Sequence, residues 1–188
     1  MPRRWAASRA ALRKTVGLRP AGPRDLELLV AHRLAMWRDI GTRTEGSLRE
    51  HAPLYRGWIR GHLARGELEA VVAEVGGRPV GSGALWWMPA HPRPGLPDPV
   101  EPYIMSMYTE PEYRGLGLAT DIVEALLARA RRRGAFRVLL HASAQGRPVY
   151  ERLGFEPTTE MRKLLKKPVG VRPAPKSVRT RARVGSRR

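Results

Sequence analysis

The chain has no cysteine, and this absence removes several kinds of chemistry at once. A disulfide framework, a thiolate metal site and a cysteine nucleophile all require the thiol side chain. The sequence also has no nucleophile elbow, no cluster of metal ligands at usable spacing and no phosphate-binding loop ending in Lys-Ser or Lys-Thr. We therefore expect no metal, and any acyl transfer must use another nucleophile or pass directly to the acceptor.

Long apolar runs are absent as well. No stretch approaches the ~18 apolar residues that a membrane-spanning helix needs. The Arg3-Arg4 pair is not followed by the apolar region, about 7–15 residues long, that a secretory signal contains. We expect a cytoplasmic protein that does not contact a membrane.

Positive charge is in large excess, with a formal net charge of +18. Residues 1–14 carry +5 and residues 166–188 carry +9, neither with an acidic residue, which leaves +4 for residues 15–165. Such basic segments bury too little apolar surface to fold alone. We expect a flexible arm over 1–14, one domain over 15–165 and a disordered tail over 166–188. Weak nonspecific contact of these basic segments with nucleic acid stays open.

The spacing of apolar residues predicts a mixed α/β domain, and 188 residues with 42% hydrophobic content suit one core. The first predicted elements are a strand over 15–19, a helix over 26–39 with Asp25 as its N-cap, and a helix over 47–65 with a capping box at Ser47 and Glu50. Strands over 68–75 and 79–88 follow, joined by a Gly76-Gly77 hairpin turn, and then a proline-rich loop over 89–102. The remaining elements are a strand from Tyr103, a helix over 118–133, a strand over 136–142, a short helix over 145–153 and a last strand over 158–165.

Residues 104–120 are the most informative stretch. An apolar strand passes through Pro111 and two glycines, Gly115 and Gly117, into a helix. The first N–H groups of a helix have no partner within it, so they are available to an anion in the preceding turn. A glycine-rich turn alone is a weak signal, because a tight strand-to-helix connection has the same composition.

Two motifs in this order resemble the GNAT acyl-CoA-dependent N-acetyltransferases. Residues 114–119, RGLGLA, match the R/Q-x-x-G-x-G/A motif, and residues 150–155, YERLGF, match the Y-x-x-x-G-F segment. The resemblance covers roughly residues 15–165 and is strongest over 103–156. It implies the GNAT fold, a mixed and mostly antiparallel sheet with a central splayed pair of parallel strands, flanked by helices.

The resemblance also implies which residues hold the donor, acetyl-CoA. The strand residues Met107, Tyr108 and Thr109 would pair with the pantetheine arm, in a gap between 103–109 and 136–142. Ser143 stands where the family often has Asn, and its hydroxyl could still bond the cofactor. The pyrophosphate would bind the backbone of the turn and of the helix start, whose residues are Arg114, Gly115, Leu116, Gly117, Leu118, Ala119 and Thr120.

Tyr150 would protonate the CoA thiolate as it leaves. A phenol holds its proton at neutral pH and can deliver it to a thiolate of comparable pKa. The alternative is a tyrosine that only packs on a short helix. For the base that deprotonates the amine the sequence offers four candidates without choosing between them, namely Asp39, Glu45, Glu110 and His141.

The resemblance also implies that the predicted helix over 26–39 faces the acceptor, with Arg33, Met36, Trp37 and Asp39 placed to line its pocket. Core packing is the competing role for Met36 and Trp37. The expected activity is direct transfer of an acetyl group to a primary amine of a small molecule. The alternatives are acetylation of a protein or peptide, and a noncatalytic protein that binds nucleic acid through its basic segments. A homodimer is also possible in families of this kind.

Overall fold

The computed structural model describes residues 3–92, 94, 100–166 and 170–171, and the side chains from Arg9 onward within these ranges. In chain order these residues form α1 (Arg3–Lys14), β1 (Val16–Pro20), a 3₁₀ turn (Pro23–Asp25), α2 (Leu26–Ile40), α3 (Glu45–Ala64), β2 (Leu68–Val75), β3 (Arg78–Pro89), β4 (Val100–Thr109), a second 3₁₀ turn (Pro111–Tyr113), α4 (Leu118–Arg132), β5 (Leu139–Leu140) and α5 (Arg147–Arg152).

One five-stranded sheet, in the order β1-β2-β3-β4-β5, organises the described residues. The first four strands pair antiparallel in sequence order, and β5 pairs parallel to β4 after the α4 crossover. The β2–β3 hairpin turns at Gly76 and Gly77, whose φ angles of 59° and 80° require the left-handed region that glycine enters freely. The mixed sheet expected from the sequence is therefore confirmed.

Helices cover both faces of the sheet because its central strands carry apolar residues on both sides. On one face, Leu68 and Ala70 of β2 pack against Leu29 and Ile59 of α2 and α3. On the other face, Val71, Ala73 and Leu85 pack with apolar side chains of α4, which are Ile122, Val123, Leu126 and Ala130. Gly83 of β3 allows this close approach, since a Cβ there would collide with Met107 and Ile122.

The N-terminal segment differs from the flexible arm expected over 1–14, because Arg3–Lys14 is helical. The expectation weighed the segment's composition alone, whereas the structure docks its C-terminal half on the domain. Leu12 packs against the cluster of Val75, Val80, Leu116 and Leu118. Arg13 also forms a bidentate ion pair with Asp121 of α4, in which Nη2 donates to Oδ1 at 2.8 Å.

Several predicted boundaries are wrong. The second helix begins after Thr44, whose hydroxyl accepts a hydrogen bond from Ser47 N, so Ser47 lies inside it and Pro53 is tolerated within it. Asp25 precedes α2 without a side-chain cap, since its carboxylate binds Arg19 and the Gly22 N–H. Strand β4 begins at Val100, earlier than Tyr103, because residues 100–102 continue the pairing with β3.

The C-terminal part contains less strand than predicted. The strand expected over 136–142 shrinks to Leu139–Leu140, and no strand forms over 158–165. Met161 is 94% exposed and Leu165 84%, so this segment meets no sheet edge that could pair with it. Six residues of the proline-rich loop (93 and 95–99) and most of the basic tail lie outside the described residues.

Candidate functional site

The sheet opens between its two parallel strands. Strands β4 and β5 pair only at Tyr103 with Leu139 and at Ile104 with Leu140. Beyond these pairs β4 continues to Thr109, still bonded to β3 on its other edge. Residues 105–109 therefore offer backbone donors and acceptors on an edge that no described strand occupies, which is the position the sequence predicts for the pantetheine arm.

A β-bulge lies at the start of this open edge. Tyr108 pairs with Ser82 and Met105 with Ala84, so β4 carries one residue more than β3 between these pairs. Ser106 takes up the difference with φ = 55°, and among the described residues no other non-glycine has a positive φ. Such a conformation costs of order 1–3 kcal/mol and persists only when its surroundings hold it.

Ser106 is held by two side chains from the helical face. The Ser106 hydroxyl accepts a hydrogen bond from Arg33 Nη1 at 2.9 Å and lies 3.0 Å from the Tyr55 hydroxyl. Arg33 Nε donates to His51 Nε2 at 3.3 Å. We name these four residues, Arg33, His51, Tyr55 and Ser106, the acceptor cluster, because they border the open edge next to Met107.

Arg33 is a half-buried cation without a carboxylate. Its guanidinium lies 4.5 Å from the Tyr55 ring centroid and 5.7 Å from that of Trp37. A second guanidinium, that of Arg43, lies 4.6 Å from the Trp37 centroid. Burial lowers the pKa of Arg33. Burial, together with the charges of Arg33 and Arg43, lowers the pKa of His51. The cluster therefore has a positive potential, because the groups that contact the Arg33 guanidinium are neutral.

The glycine turn, residues 114–117, lies at the far end of the open edge. Leu116 and Leu118 are buried at 7% and 1% exposure, and they anchor the turn in the core while Gly115 and Gly117 face outward. Both glycines have left-handed φ angles, 76° and 85°. Asp121 is the first residue of α4 whose N–H reaches a backbone carbonyl, that of Gly117 at 3.1 Å. The turn thus presents unpaired helical N–H groups, and neither Gly115 nor Gly117 places a side chain of its own over them.

The side chain of Arg114 forms a hydrogen bond and an ion pair within the protein. Its Nε donates to the Thr109 carbonyl at 3.0 Å, and its Nη2 forms an ion pair with Asp39. These contacts tie the turn to the end of β4 and to the end of α2. Asp39 therefore contacts the predicted pyrophosphate turn, while Arg33 and Trp37 from the same helix meet near the bulge and Met36 is half-buried on α2.

Tyr150 lies on α5, in the apolar cluster that lines the α4 face. Its ring is edge-on to Phe155 at 5.9 Å. Burial, and secondarily the nearby Tyr103, raise the pKa of the Tyr150 phenol. The Tyr150 hydroxyl has no hydrogen-bond partner among the described residues. Arg129 Nη1 is the one side-chain polar atom there that is both fully enclosed and unpaired, so the unpaired Tyr150 hydroxyl must be accessible to solvent. The group is a protonated phenol with a free hydroxyl.

Ser143 is used locally. Its hydroxyl accepts a hydrogen bond from Gly146 N at 3.1 Å in the turn before α5. A Cβ on Gly146 would lie 3.0 Å from the Tyr150 ring and 3.3 Å from Ser143 Oγ, so Gly146 lets these two side chains approach each other. Ser143 as a cofactor ligand stays a prediction.

Three of the four candidate bases are already paired with arginines. Asp39 binds Arg114, Glu45 binds Arg38 at 2.9 Å and Glu110 binds Arg78 at 2.8 Å. The fourth, His141, shares a hydrogen bond through Nδ1 with the Tyr103 hydroxyl, at the point where β4 and β5 part. Of the four, His141 lies nearest to the paired strands, and its side chain is 75% exposed.

Sequence reasoning missed His51, Tyr55, Ser106 and the α1 arginines. The two aromatic residues carried a readable signal, since they lie four apart on a predicted helix and stack at 5.6 Å. Ser106 gave none, because a bulge depends on the partner strand. Arg9 donates to the Arg114 carbonyl across 105 residues, a contact that depends on the docking of α1.

Comparisons with known proteins agree with this geometry. The model of the acetyltransferase (GNAT) family matches residues 33–155. A GCN5-related N-acetyltransferase from Ralstonia eutropha JMP134 is 34% identical, with a TM-score of 0.75 over 80% of this chain and 98% of that one. A predicted acetyltransferase from Clostridium acetobutylicum, solved with acetyl-CoA, is 30% identical, with a TM-score of 0.72 over 79% and 95%.

The chain therefore belongs to the GNAT family of acyltransferases, which uses acetyl-CoA as its donor. A curated relative, the glucosamine 6-phosphate N-acetyltransferase of Trypanosoma brucei brucei, is 35% identical over 79 residues. That match covers 42% of this chain and 52% of the relative, so the chain spans about half the length of that protein.

Two further features concern the described residues only. No group of three or more His, Cys, Asp or Glu side chains among them could hold a metal ion. Within the same ranges, every helix is too short or too polar to cross a membrane.

Acid should destabilise the protein through His32, a buried residue of α2 beside the open edge. Its Nδ1 lies 2.9 Å from Ser82 Oγ, and burial lowers its pKa from 6.5 to about 4. Because the unfolded chain takes up this proton at higher pH, the stabilisation is complete above pH 6.5 and is lost as the pH falls towards about 4. Between pH 7.5 and 4.5 this linkage amounts to about 2.5 kcal/mol.

Urea unfolding of the wild type and of His32→Gln at these two pH values checks the prediction. Glutamine can still bond Ser82 but does not titrate, so the variant should lose less of its unfolding free energy on acidification. Equal losses in the two proteins would show that His32 is not the titrating group.

Proposed function

We propose that this protein is an acetyl-CoA-dependent N-acetyltransferase that transfers the acetyl group directly to a primary amine of a small molecule. The observation that carries the proposal is the open β4 edge, with the glycine turn at one end and the Tyr150 hydroxyl and the acceptor cluster near the other. An open edge with different groups at its two ends suits a long, thin donor. The anionic end of such a donor needs backbone N–H groups, and its reactive end needs an acid.

The residues fit the parts of the donor. The N–H groups after Gly117 would bind the pyrophosphate, and Met107, Tyr108 and Thr109 would pair with the pantetheine amides. The thioester would then reach the bulge at Ser106, where β4 changes register. Because the bulge is fixed by Arg33 and Tyr55, it would hold the carbonyl in a constant position for attack.

The chemistry needs two proton transfers. The neutral amine attacks the thioester carbonyl, its proton leaves to a base or to water, and the carbon–sulfur bond breaks as the amide forms. Tyr150 donates its phenolic proton to the departing thiolate, which yields CoA with a free thiol. Burial favours this role, since the raised pKa keeps the phenol protonated at neutral pH.

The side chains on the acceptor side contact one another closely. The Arg33 guanidinium lies 4.5 Å from the Tyr55 ring centroid and 5.7 Å from that of Trp37, and Arg43 lies 4.6 Å from the Trp37 centroid. The named activity of the Trypanosoma relative, on glucosamine 6-phosphate, is a precedent for a small amine. A cytoplasmic location, a homodimer and weak nucleic-acid contact stay predictions.

The test is an acetyl-CoA consumption screen over amino acids, polyamines, aminoglycosides, amino sugars and peptides, with products identified by mass spectrometry. We expect release of CoA and an N-acetylated small amine. Acetylation of peptides alone would replace the small-molecule proposal with protein acetylation, and no turnover with any amine would contradict the enzymatic proposal.

A further inference from the structure

The acceptor cluster contains a cation that the protein does not neutralise. Arg38 and Arg114 pair with Glu45 and Asp39, but no carboxylate of a described residue lies within 4.0 Å of Arg33. The acids on either side of it in the chain are paired with other arginines, Glu27 with Arg56 and Asp39 with Arg114. A half-buried guanidinium without a counterion is costly unless another ligand supplies the charge.

The guanidinium also has unused donors. Arginine has five N–H groups, and Arg33 uses one on Nε and one on Nη1. The Tyr55 hydroxyl also stabilises the charged guanidinium. Nη2 is not an enclosed and unpaired atom, since Arg129 Nη1 is the one such side-chain atom among the described residues, so Nη2 can still reach a ligand. The guanidinium carbon lies 4.5 Å from the Tyr55 ring centroid, and this contact helps to hold the group in place. A guanidinium with N–H groups left over can bind a carboxylate or phosphate with two parallel hydrogen bonds.

The surroundings reinforce a preference for an anion. Arg43 brings a second guanidinium to the same aromatic surface, 4.6 Å from the Trp37 centroid. His51 is kept neutral by burial and by the charges of Arg33 and Arg43, so it accepts from Arg33 instead of opposing it. No acid enters this environment from α2, α3 or β4 among the described side chains that contact Arg33.

We propose that the acceptor amine carries an anionic group, a carboxylate or a phosphate, that binds the remaining N–H groups of Arg33 while its amino group reaches the thioester beside Ser106. This inference rests on the proposed acetyltransferase function and narrows its substrate class. Arg33 has a second role in holding Ser106, and the experiment must separate the two roles.

The experiment compares matched acceptors on the full chain, using glucosamine 6-phosphate against glucosamine and β-alanine against β-alaninamide. Three variants are compared with the wild type. Arg33→Gln removes the charge, Arg33→Lys keeps it, and Tyr55→Phe removes a hydrogen bond to Ser106 without changing charge. The two acceptor pairs distinguish a phosphate from a carboxylate.

We expect the wild type to prefer the anionic member of at least one pair. Loss of a hydrogen-bonded ion pair should lower kcat/KM of Arg33→Gln for that member by roughly 10- to 150-fold and change the neutral member much less. Arg33→Lys should recover part of the preference, and Tyr55→Phe should lower both members alike.

Two results would overturn the inference while leaving the enzyme intact. One is acetyl transfer confined to neutral or polycationic amines, and the other is an equal loss for both members of a pair in Arg33→Gln, which is the result of a purely structural role. No acetyl-CoA turnover with any amine would instead refute the proposed function itself.

A separate observation concerns α1, which brings two guanidinium groups to the glycine turn. Arg9 Nη2 lies 2.7 Å from the position of a Cβ on Gly115, and the Arg13 guanidinium carbon lies 3.8 Å from that of a Cβ on Gly117. These are the two outward-facing glycines of the predicted pyrophosphate site. The family model matches from residue 33 onward, so α1 lies outside the matched region.

We also infer that Arg9 and Arg13 bind the phosphate groups of CoA, so that α1 acts as a basic clamp on the donor. Arg13 is held in place by Asp121, and Leu12 packs beneath the turn, which fixes the helix before the ligand arrives. The positive charge assigned to a flexible arm from the sequence would then belong to the donor site.

Titration of CoA and of pantetheine, which lacks the phosphates, into the wild type and Arg9→Ala/Arg13→Ala tests this inference. Loss of charged hydrogen bonds should raise the Kd for CoA roughly 10-fold or more and leave that for pantetheine unchanged. Arg56→Ala, which removes an exposed arginine paired with Glu27, is the matched control. Unchanged CoA binding would refute the clamp, and tighter binding would show that α1 blocks the turn.

Discussion

Replacing Tyr150 with Phe is expected to lower kcat for acetyl transfer by about 10²- to 10⁴-fold, the usual contribution of a general acid. The substitution removes only the hydroxyl, while the ring keeps its contact with Phe155 and its place in the buried cluster. The affinity for acetyl-CoA and the unfolding free energy should therefore change little. Single-turnover kinetics with acetyl-CoA and any acceptor found in the screen measure the effect.

The matched control is Tyr113→Phe, which removes a tyrosine hydroxyl from a side chain that lies beneath Arg78 and outside the acceptor cluster. Its kcat should equal that of the wild type. The pH profile adds a second readout, because a phenol whose pKa is raised gives no falling limb below pH 10. Wild-type kcat in Tyr150→Phe would show that the residue only packs.

Replacing Gly117 with Asp is expected to raise the Kd for CoA by about 10- to 1000-fold. A carboxylate there would lie where the pyrophosphate is proposed to bind, and two like charges about 4 Å apart repel by roughly 1–4 kcal/mol at the dielectric constants of a protein surface. The fold should survive with some loss of stability, because Gly117 is left-handed and Asp is one of the few non-glycine residues that enter this region.

Gly117→Asn is the matched control, since it has nearly the same shape and the same capping ability without the charge. We expect its Kd for CoA to lie between those of the wild type and Gly117→Asp. Calorimetric titration of CoA, with thermal unfolding as the check on folding, measures both. Equal affinities of the Asp and Asn variants would mean that the phosphates bind elsewhere.

Elements set by local chemistry were predictable from the sequence. The β2–β3 hairpin follows from two glycines between alternating apolar residues, and α4 follows from its apolar spacing and from the glycines at both ends. The glycine turn and Tyr150 were found for the same reason, because each lies in a short segment with a fixed order of residue types. Their roles in binding and catalysis stay predictions.

Features set by distant contacts were not predictable. The start of α3 was placed at Ser47 because Ser47 and Glu50 match a capping box, whereas the structure starts the helix after Thr44, whose hydroxyl accepts from Ser47 N. The bulge at Ser106 needs the register of β3, and the docking of α1 needs Asp121 more than 100 residues away. The strand expected over 158–165 requires a partner edge, which composition does not reveal.

The acceptor cluster shows how the two kinds of information combine. Arg33 and Trp37 were predicted to line the acceptor pocket from their position on α2, and the structure brings them together. The uncompensated charge of Arg33 became apparent only when its neighbours proved to be Ser106, His51 and Tyr55. Those neighbours carry no negative charge, which is why we propose an anionic acceptor.

The central claim is that the open β4 edge and the glycine turn bind acetyl-CoA, and the most direct test is a thermal shift of the wild-type protein with that ligand. At about 100 times the Kd, a ligand that binds only the folded state adds about 2.7 kcal/mol to its stability. We predict a clear rise in Tm with acetyl-CoA that is reduced in Gly117→Asp. An unchanged Tm at millimolar acetyl-CoA would contradict the account.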